Sequence, residues 1–240
     1  MWIVLAHSTD ASALWVFQRL HARSRHPVEL LLVEALDTPV TSWVHEVSED
    51  GANVEVHLDD RRRVRTVGIR AVLNRLTWPP MGLVAAAAPA DVAYAQSELT
   101  AFAMSWLRSL APVVVNEPTP QGLCGRWRPS LHWRALGMRA GLPVAPLRLA
   151  SANLHPQDVA EASTMILMVD GELLGSSAPD AIRKAARRLA ALSGTAILGL
   201  WFAGSDPARS GWRLLDATPQ PDLTAAGEAG VAALEAVLAR

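Results

Sequence analysis

The chain of 240 residues is 50% hydrophobic and 19% charged, so it can bury a substantial core in one large or two small domains. Its net charge of −1 provides no long-range attraction for nucleic acid or an anionic membrane, and we predict neither as a partner. A single cysteine, Cys124, excludes an internal disulfide; together with the absence of a membrane-length apolar run or a signal peptide, it predicts a soluble, cytoplasmic protein.

The first elements predict a parallel β-α-β unit. Residues 1–6 form an uninterrupted apolar run, the pattern of a strand buried on both faces. A helix with apolar residues at helical spacing follows, and then a second buried strand at 28–33. Open α/β sheets bind ligands at the carboxyl ends of their strands, which makes His7 a candidate ligand-binding residue. The alternative for His7 is a hydrogen-bonded structural histidine.

A hairpin and another buried strand come next. Residues 43–58 carry an Asp-Gly pair between two strand-like runs, which favours a tight antiparallel turn, and a charged turn at 61–63 follows. The run at 71–76 predicts a buried strand that carries Asn74 and Arg75 before a Trp-Pro-Pro turn. Because a guanidinium is costly to bury alone, Arg75 either pairs with an internal acid or contacts a ligand.

The longest predicted helix covers residues 91–110, and the strand at 112–115 ends at Asn116. Asn74, Arg75 and Asn116 are therefore candidate ligand-binding residues at strand ends. Among the nine tryptophans, we predict that Trp78, before Pro79, lies in a cleft. Trp15, Trp106 and Trp133 occupy apolar positions of predicted helices and are expected in the core.

A linker rich in proline and glycine, residues 119–125, predicts a boundary between a domain of residues 1–118 and a domain of residues 119–240. The second domain is predicted to be a small α+β unit with an antiparallel sheet. Its predicted elements are a helix at 129–139, an extended segment at 147–150, a loop at 151–163, a hairpin at 164–174, a helix at 179–192, strands at 195–203 and 211–215, and a C-terminal helix.

Two oxygen-bearing side chains lie near the end of the last strand. An apolar pair leads to Asp216 and Thr218, after which Pro219 and Pro221 prevent further pairing and force a stiff turn. Hard oxygen ligands held side by side suit Mg²⁺, the partner of nucleotide phosphates. The alternative is a strand and a proline-rich loop without a ligand.

Three motifs occur in a fixed order. Leu73-Asn-Arg-Leu-Thr-Trp-Pro79 matches part of a Trp-Tyr-Arg-Arg-Pro strand motif, and Trp127-Arg-Pro129 opens a helix that leads into Gly141-Leu-Pro-Val-Ala-Pro146. Asp216-Ala-Thr-Pro-Gln-Pro-Asp-Leu223 keeps the prolines and the leucine of a Glu-x-Asn-Pro-x-Pro-x-Leu motif. This order resembles the pre-ATP-grasp and ATP-grasp domains of ATP-grasp ligases, above all the microviridin-type peptide ligases and the RimK-type glutamate ligases.

The resemblance implies an α/β fold: an N-terminal parallel or mixed sheet flanked by helices, then a shortened ATP-grasp lobe with an antiparallel sheet. It implies ATP and Mg²⁺ as cofactors and a peptide or small molecule as substrate. Asp216 and Thr218 stand where the family has its metal-binding Glu and Asn. Arg128 stands where the family has the lysine of Asn-Lys-Pro, which makes it a candidate phosphate contact.

The chain also departs from the family. A lobe of several dozen residues that supplies phosphate-binding lysines is replaced by a short polar connection, Lys184 is the only lysine, and Trp201 replaces a metal-binding acid. These departures favour a degenerate relative that binds a ligand or partner without ordinary ligase activity. Two alternatives remain: an active ATP-dependent carboxylate-amine ligase, and a small-molecule-binding scaffold unrelated to ATP-grasp enzymes. The sequence leaves open whether the protein is an enzyme.

The lost lobe leads to a prediction about assembly. In the family that lobe closes over the remaining one, so its loss leaves apolar sheet surface uncovered. Burying this surface against another chain recovers about 25 cal/mol per Å². We therefore predict a homodimer or a protein complex, with a full-length ATP-grasp ligase as the candidate partner.

Overall fold

The computed structural model describes residues 1–38, 41–49, 51–82, 84, 87–146, 163–204, 206–209 and 211–240. The predicted extended segment at 147–150, and the loop at 151–163 up to residue 162, lie outside the described residues. The chain divides into a first compact unit, residues 1–126 with 234–240, and a second, residues 127–233. The domain boundary between residues 118 and 119 stays a prediction.

The first unit is built on a four-stranded parallel sheet in the order β2-β1-β6-β7. Its strands are β1 (Trp2–Ala6), β2 (Val28–Leu32), β6 (Ala71–Asn74) and β7 (Val113–Val115). Every residue of β1 and β6 is buried, as the uninterrupted apolar runs predict for the central strands of a parallel sheet.

Helices α1 (Ala11–Arg23), α2 (Val33–Leu36) and α3 (Val92–Leu110) complete the connections of this sheet. The carboxylate of Asp10 accepts the Ala13 N–H at 3.0 Å and so caps α1. In α3 the predicted apolar face is buried only in its second half, where Trp106 and Leu110 are fully enclosed. Phe102 and Leu99, one and two turns before Trp106, are partly buried and line a cavity.

The hairpin predicted at 43–58 is confirmed as β3 (Ser42–Ser48) and β4 (Gly51–His57), although Asp50 of its turn lies outside the described residues. It forms a separate antiparallel sheet with a third strand, β5 (Arg63–Arg65). The prediction of a charged turn at 61–63 is therefore wrong for Arg63, which pairs with His57. The alternation of Arg63, Val64 and Arg65 places the valine on the buried face and both arginines outside.

The second unit contains an antiparallel sheet in the order β11-β10-β8-β9. Its strands are β8 (Ser163–Val169), β9 (Glu172–Leu173), β10 (Ile197–Ala203) and β11 (Leu214–Thr218), and its helices are α4 (Ser130–Ala140) and α5 (Asp180–Ser193). Trp133, Leu189 and Phe202 lie in one buried core formed by both helices and the sheet. The predicted fold class, a parallel α/β sheet followed by a small α+β part with an antiparallel sheet, is confirmed.

The last strand differs from its predicted bounds, whereas the C-terminal helix agrees with the prediction. The strand predicted at 211–215 is β11, which begins at Leu214 and ends at Thr218, so Asp216 lies inside the strand and not at its end. Pairing continues until Pro219, which has no N–H to donate. The C-terminal helix is α6 (Gly227–Leu238), and its predicted apolar residues Val231, Leu234 and Leu238 are buried.

None of the helices in the described part of the chain combines the length and the apolar character that crossing a bilayer requires.

Candidate functional site

Several of the predicted ligand-binding residues meet at one edge of the parallel sheet. Strands β1 and β6 pair in parallel with Leu5 opposite Asn74, and the Arg75 N–H donates to the Leu5 carbonyl at 2.8 Å. His7 and Arg75 therefore follow neighbouring strands at their carboxyl ends. This is the edge at which open α/β sheets bind ligands. We call His7, Asp10, Ser12, Arg75 and Trp78 the strand-end cluster.

Arg75 is buried and pairs with an internal acid, the first of the two predicted alternatives. Its Nε donates to Asp10 Oδ2 at 2.8 Å and its Nη2 to Ser12 Oγ at 3.3 Å. Burial favours the protonated form of Asp10, but the hydrogen bond and charge of Arg75, together with hydrogen bonds from Ala13 and Ser12, outweigh it and lower the pKa of the Asp10 carboxyl. The third guanidinium nitrogen, Nη1, is buried without a hydrogen-bond partner among the described residues.

His7 is 6% exposed and lies beneath the indole of Trp78. The two ring centroids are 4.1 Å apart, with 32° between the ring planes, and 55% of Trp78 remains exposed. Trp78 thus covers His7 and is not itself enclosed. Burial lowers the pKa of His7, against the opposing influence of the Glu34 and Asp10 carboxylates. The buried Nε2 of His7, like Arg75 Nη1, has no hydrogen-bond partner in the described part of the chain.

Asn74 and Asn116 are joined to each other beneath the strand-end cluster. Asn74 Nδ2 donates to the carbonyls of Asn116, at 2.8 Å, and Leu123, at 2.7 Å, while its Oδ1 accepts the Leu76 N–H at 3.0 Å. The Cys124 thiol donates to the Asn74 carbonyl at 3.1 Å. The side chain of Asn74 therefore fastens the segment after β7 to the end of β6. Both asparagines are buried, and these bonds give Asn74 a positioning role.

Arg128 belongs to the second unit, and its guanidinium contacts other residues of that unit. Its guanidinium lies over the Trp133 ring, 4.9 Å from the ring centroid, and its Nη2 donates to the Ser193 carbonyl at 3.3 Å. Ser193 is the last residue of α5, so the arginine satisfies a carbonyl at a helix C-terminus, where a cation is favourable. This contact is an internal alternative to phosphate binding.

Asp216 and Thr218 are also engaged internally. Asp216 Oδ2 accepts the hydroxyl of Ser130 at 2.6 Å, and its Oδ1 accepts the Ala217 N–H at 2.8 Å. Thr218 Oγ1 accepts the Gln220 N–H at 3.2 Å and so begins the proline-rich turn. The bond from Ser130 joins β11 to the first turn of α4, which no feature of the sequence around Ser130 had indicated.

A bound Mg²⁺ needs several oxygen ligands, usually including more than one carboxylate or phosphate. Opposite Asp216 on β10 stands Trp201, and the described residues contain no group of three acids, histidines or cysteines that could hold a metal ion. Lys184 is exposed on α5. These side chains fit structural roles better than they fit the coordination of a magnesium nucleotide.

Neither a protein-family model nor a curated protein matches the chain, but solved structures do. Macrocyclase MdnB from Microcystis aeruginosa MRC matches with a TM-score of 0.66 at 14% identity, covering 99% of this chain and 98% of that one. Macrocyclase MdnC from the same organism, bound with precursor peptide MdnA, has a TM-score of 0.70 at 9% identity, covering 99% of both chains. The chain has the fold of these macrocyclases.

A third structure extends the likeness to another organism. The RiPP-associated ATP-grasp ligase of Chryseobacterium gregarium, in complex with ADP and a leader and core peptide, has a TM-score of 0.69 at 8% identity, covering 99% of this chain and 96% of that one. The similarity to ATP-grasp ligases of the microviridin type, predicted from the order of three short motifs, is confirmed at the level of the fold.

Proposed function

We propose that the protein is a peptide-binding relative of the ATP-grasp ligases that has lost ATP-dependent ligation. One observation carries the proposal: both carboxylate oxygens of Asp216 accept hydrogen bonds from the chain itself, with Trp201 as the cross-strand neighbour. A metal ion in this position would have to share the Asp216 carboxylate with the Ser130 hydroxyl and the Ala217 N–H. Phosphoryl transfer depends on cations positioned around the phosphates, and here a tryptophan stands opposite Asp216 in place of a second metal-binding acid.

The candidate phosphate contacts support the same conclusion. Arg128 donates to the Ser193 carbonyl, and the only lysine of the chain, Lys184, is exposed on α5. A charged side chain on a solvated helix face supplies little electrostatic stabilisation, because water screens it. Ligation would require other cations to take over the role of the family lysines.

The strand-end cluster supports peptide binding. Arg75 Nη1 is a buried N–H donor without a partner among the described residues, so an acceptor placed there removes the penalty of an unsatisfied group. Asp10 already neutralises Arg75, and Glu34 adds a further negative charge 4.0 Å from His7 Nδ1. A neutral peptide carbonyl therefore suits this donor better than a carboxylate. MdnC and the Chryseobacterium ligase were solved with peptides bound.

The second candidate function is an active carboxylate-amine ligase. It is favoured by the structure of the ATP-grasp ligase PsnB with its minimal precursor, Mg and ADP, which matches this chain with a TM-score of 0.60 at 14% identity. In that case Mg²⁺ and ATP are cofactors, and Asp216 binds the metal with the lone pairs that its two hydrogen bonds leave unused. A full-length ATP-grasp ligase remains the proposed partner of an inactive chain.

Calorimetric titration with ATP and Mg²⁺ separates the two candidates. We expect no binding in the micromolar range and no ADP release when a precursor peptide is added. Clean micromolar binding with turnover to ADP would overturn the loss of ligation, and loss of that turnover in Asp216→Asn would assign the metal role to Asp216.

The peptide site is tested separately, by NMR. An acetylated, amidated alanine tetrapeptide should shift the Trp78 indole and His7 ring signals more than the same peptide with a free carboxylate. Arg75→Lys, which keeps the charge facing Asp10, should weaken this binding, whereas Arg70→Lys, at an exposed position, should not. Equal shifts with both peptides, or an unchanged Arg75→Lys variant, would contradict the site.

A further inference from the structure

The first unit contains a cavity that shares no residue with the strand-end cluster. Its volume is about 490 Å³, within the range of roughly 300 to 1,000 Å³ that small-molecule sites occupy. A second hollow of about 380 Å³ adjoins it, because Leu99 and Phe102 line both. The apolar wall of the larger cavity consists of Leu36, Trp43, Pro80, Leu99, Phe102 and Ala103.

The two threonine hydroxyls on the polar side of the cavity can only accept hydrogen bonds from a ligand. Thr41 Oγ1 donates its proton to the Ala35 carbonyl at 2.9 Å. The 2.7 Å hydrogen bond between Thr38 Oγ1 and Thr41 Oγ1 must then use the proton of Thr38, because each hydroxyl has one proton. Both hydroxyl protons are thus spent inside the protein. The hydroxyl oxygens of Thr38 and Thr41 keep lone pairs that can accept hydrogen bonds from a ligand.

Asp37 adds a carboxylate to the same side. The Gly82 N–H donates to Asp37 Oδ1, and a Cβ at residue 82 would lie only 2.7 Å from that oxygen, so the close approach requires glycine. This bond fixes the carboxylate at the cavity and leaves it further capacity to accept. The described lining residues include no base, and Glu98 brings a second acid to the adjoining hollow.

The aromatic residues of the wall also favour a positively charged ligand. Trp43 and Phe102 meet edge to face, with their ring centroids 5.6 Å apart. The faces of aromatic rings attract cations through their quadrupole, most strongly where water is excluded. Two hydroxyls that can only accept, a fixed carboxylate and aromatic rings therefore favour a ligand that donates hydrogen bonds and carries positive charge.

We propose that this cavity binds a compact hydrophobic cation, an ammonium compound whose aromatic or branched body contacts Leu99 and Phe102 while its N–H groups face Asp37 and Thr38. An anion would meet the Asp37 carboxylate, and the described lining residues include no base to compensate. A neutral compound of the same shape would gain the apolar contact without the ion pair. This site is independent of the peptide function proposed above.

Three probes of one shape test the charge preference: naphthylethylammonium, naphthylethanol and naphthylacetate, each titrated into the full chain by calorimetry. We expect the ammonium compound to bind best and the acetate worst. Asp37→Asn keeps an oxygen that can accept the Gly82 N–H. It should lower the affinity for the ammonium compound about fivefold, which corresponds to roughly 1 kcal/mol, and leave the affinity for the alcohol unchanged. Glu46→Gln, at an exposed position of β3, is the control.

The location is tested by filling the cavity. Leu99→Trp should abolish binding of both the ammonium compound and the alcohol, with circular dichroism confirming that the variant is folded. Binding that persists in folded Leu99→Trp, equal affinities for ammonium and acetate, or an unchanged affinity in Asp37→Asn would each overturn the proposal. So would the absence of any binding at millimolar concentrations of the probes.

Discussion

His7 combines a buried imidazole, an exposed indole cover and a ring nitrogen without a partner among the described residues. Such a ring is held in its neutral form because protonation would place a charge where little water can reach it. The Glu34 and Asp10 carboxylates oppose this effect without overcoming it. At the scale of single residues, His7 is therefore the group of the cluster that responds to acid.

The lowered pKa of His7 predicts a loss of stability in acid. The unfolded chain takes up this proton near the ordinary value of 6.5, whereas the folded chain resists it. As the pH falls below that value the unfolded state binds more protons, so the free energy of unfolding decreases. Urea unfolding at about pH 7.5 and about pH 5.5 should show a smaller decrease for His7→Gln than for the natural chain. An identical decrease in both proteins would contradict the prediction.

The sequence identified the residues of the strand-end cluster better than their partners. His7 and Arg75 are predicted because a parallel strand ends at each of them, whereas Asp10 is not among the predicted site residues. Its role as the counterion of Arg75 depends on α1 and β6 meeting across 65 positions of sequence. The Ser130 bond to Asp216 spans 86 positions and was likewise outside the reach of local pattern. Residue types mark candidate sites, but tertiary contacts decide whether a side chain is available.

At the scale of elements, turn chemistry gave the most dependable predictions. The hairpin of β8 and β9 turns at Asp170 and Gly171, whose φ angles are 51° and 81°. Two consecutive residues with positive φ are the requirement of the turn that Asp-Gly favours. The third strand β5 was missed for the opposite reason, since a run of arginines hides the alternation around Val64. A residue pair such as Asp-Gly, which favours one backbone conformation, predicts structure more directly than the alternation of exposed and buried residues in a strand.

Two glycines of the second unit allow the stability contribution of the glycine in this turn to be measured. Gly175 has a φ of 67° and open space where a Cβ would be, so Gly175→Ala should cost about 1 kcal/mol of unfolding free energy, the penalty of a left-handed backbone. A Cβ at Gly171 would lie 3.1 Å from Arg187 Cα. Gly171→Ala should therefore cost about 1 kcal/mol more than Gly175→Ala, measured by urea unfolding. Equal costs would show that the contact with α5 relaxes freely.

At the scale of the whole molecule, the exposed apolar residues of the second unit bear on assembly. Leu131 and Met138 are 48% and 59% exposed, and a spacing of seven places them on one face of α4. Trp127, just before the helix, is 62% exposed. A patch of this kind on a helix is typical of a surface that another chain covers.

The sequence predicts a homodimer or complex through uncovered sheet surface; from this patch we predict instead that a homodimer forms through this face of α4. Light scattering should give twice the chain mass at concentrations well above micromolar, and the double variant Leu131→Glu, Met138→Glu should give the mass of one chain. Val67→Glu removes an apolar side chain of the first unit that is even more exposed, at 85%, and should leave the dimer intact. A natural chain that is monomeric at these concentrations would refute the prediction.

Cys124 makes the opening of the first unit measurable without adding a probe. It is the single cysteine of the chain, it is buried against the Asn74 carbonyl, and burial raises its pKa to about 11. A maleimide at neutral pH meets a protonated thiol that solvent does not reach, and alkylation must wait until the segment after β7 separates from β6. The labelling rate thus reports how often this local opening exposes the Cys124 sulfur. A compound bound at the strand ends would make the opening rarer and the labelling slower.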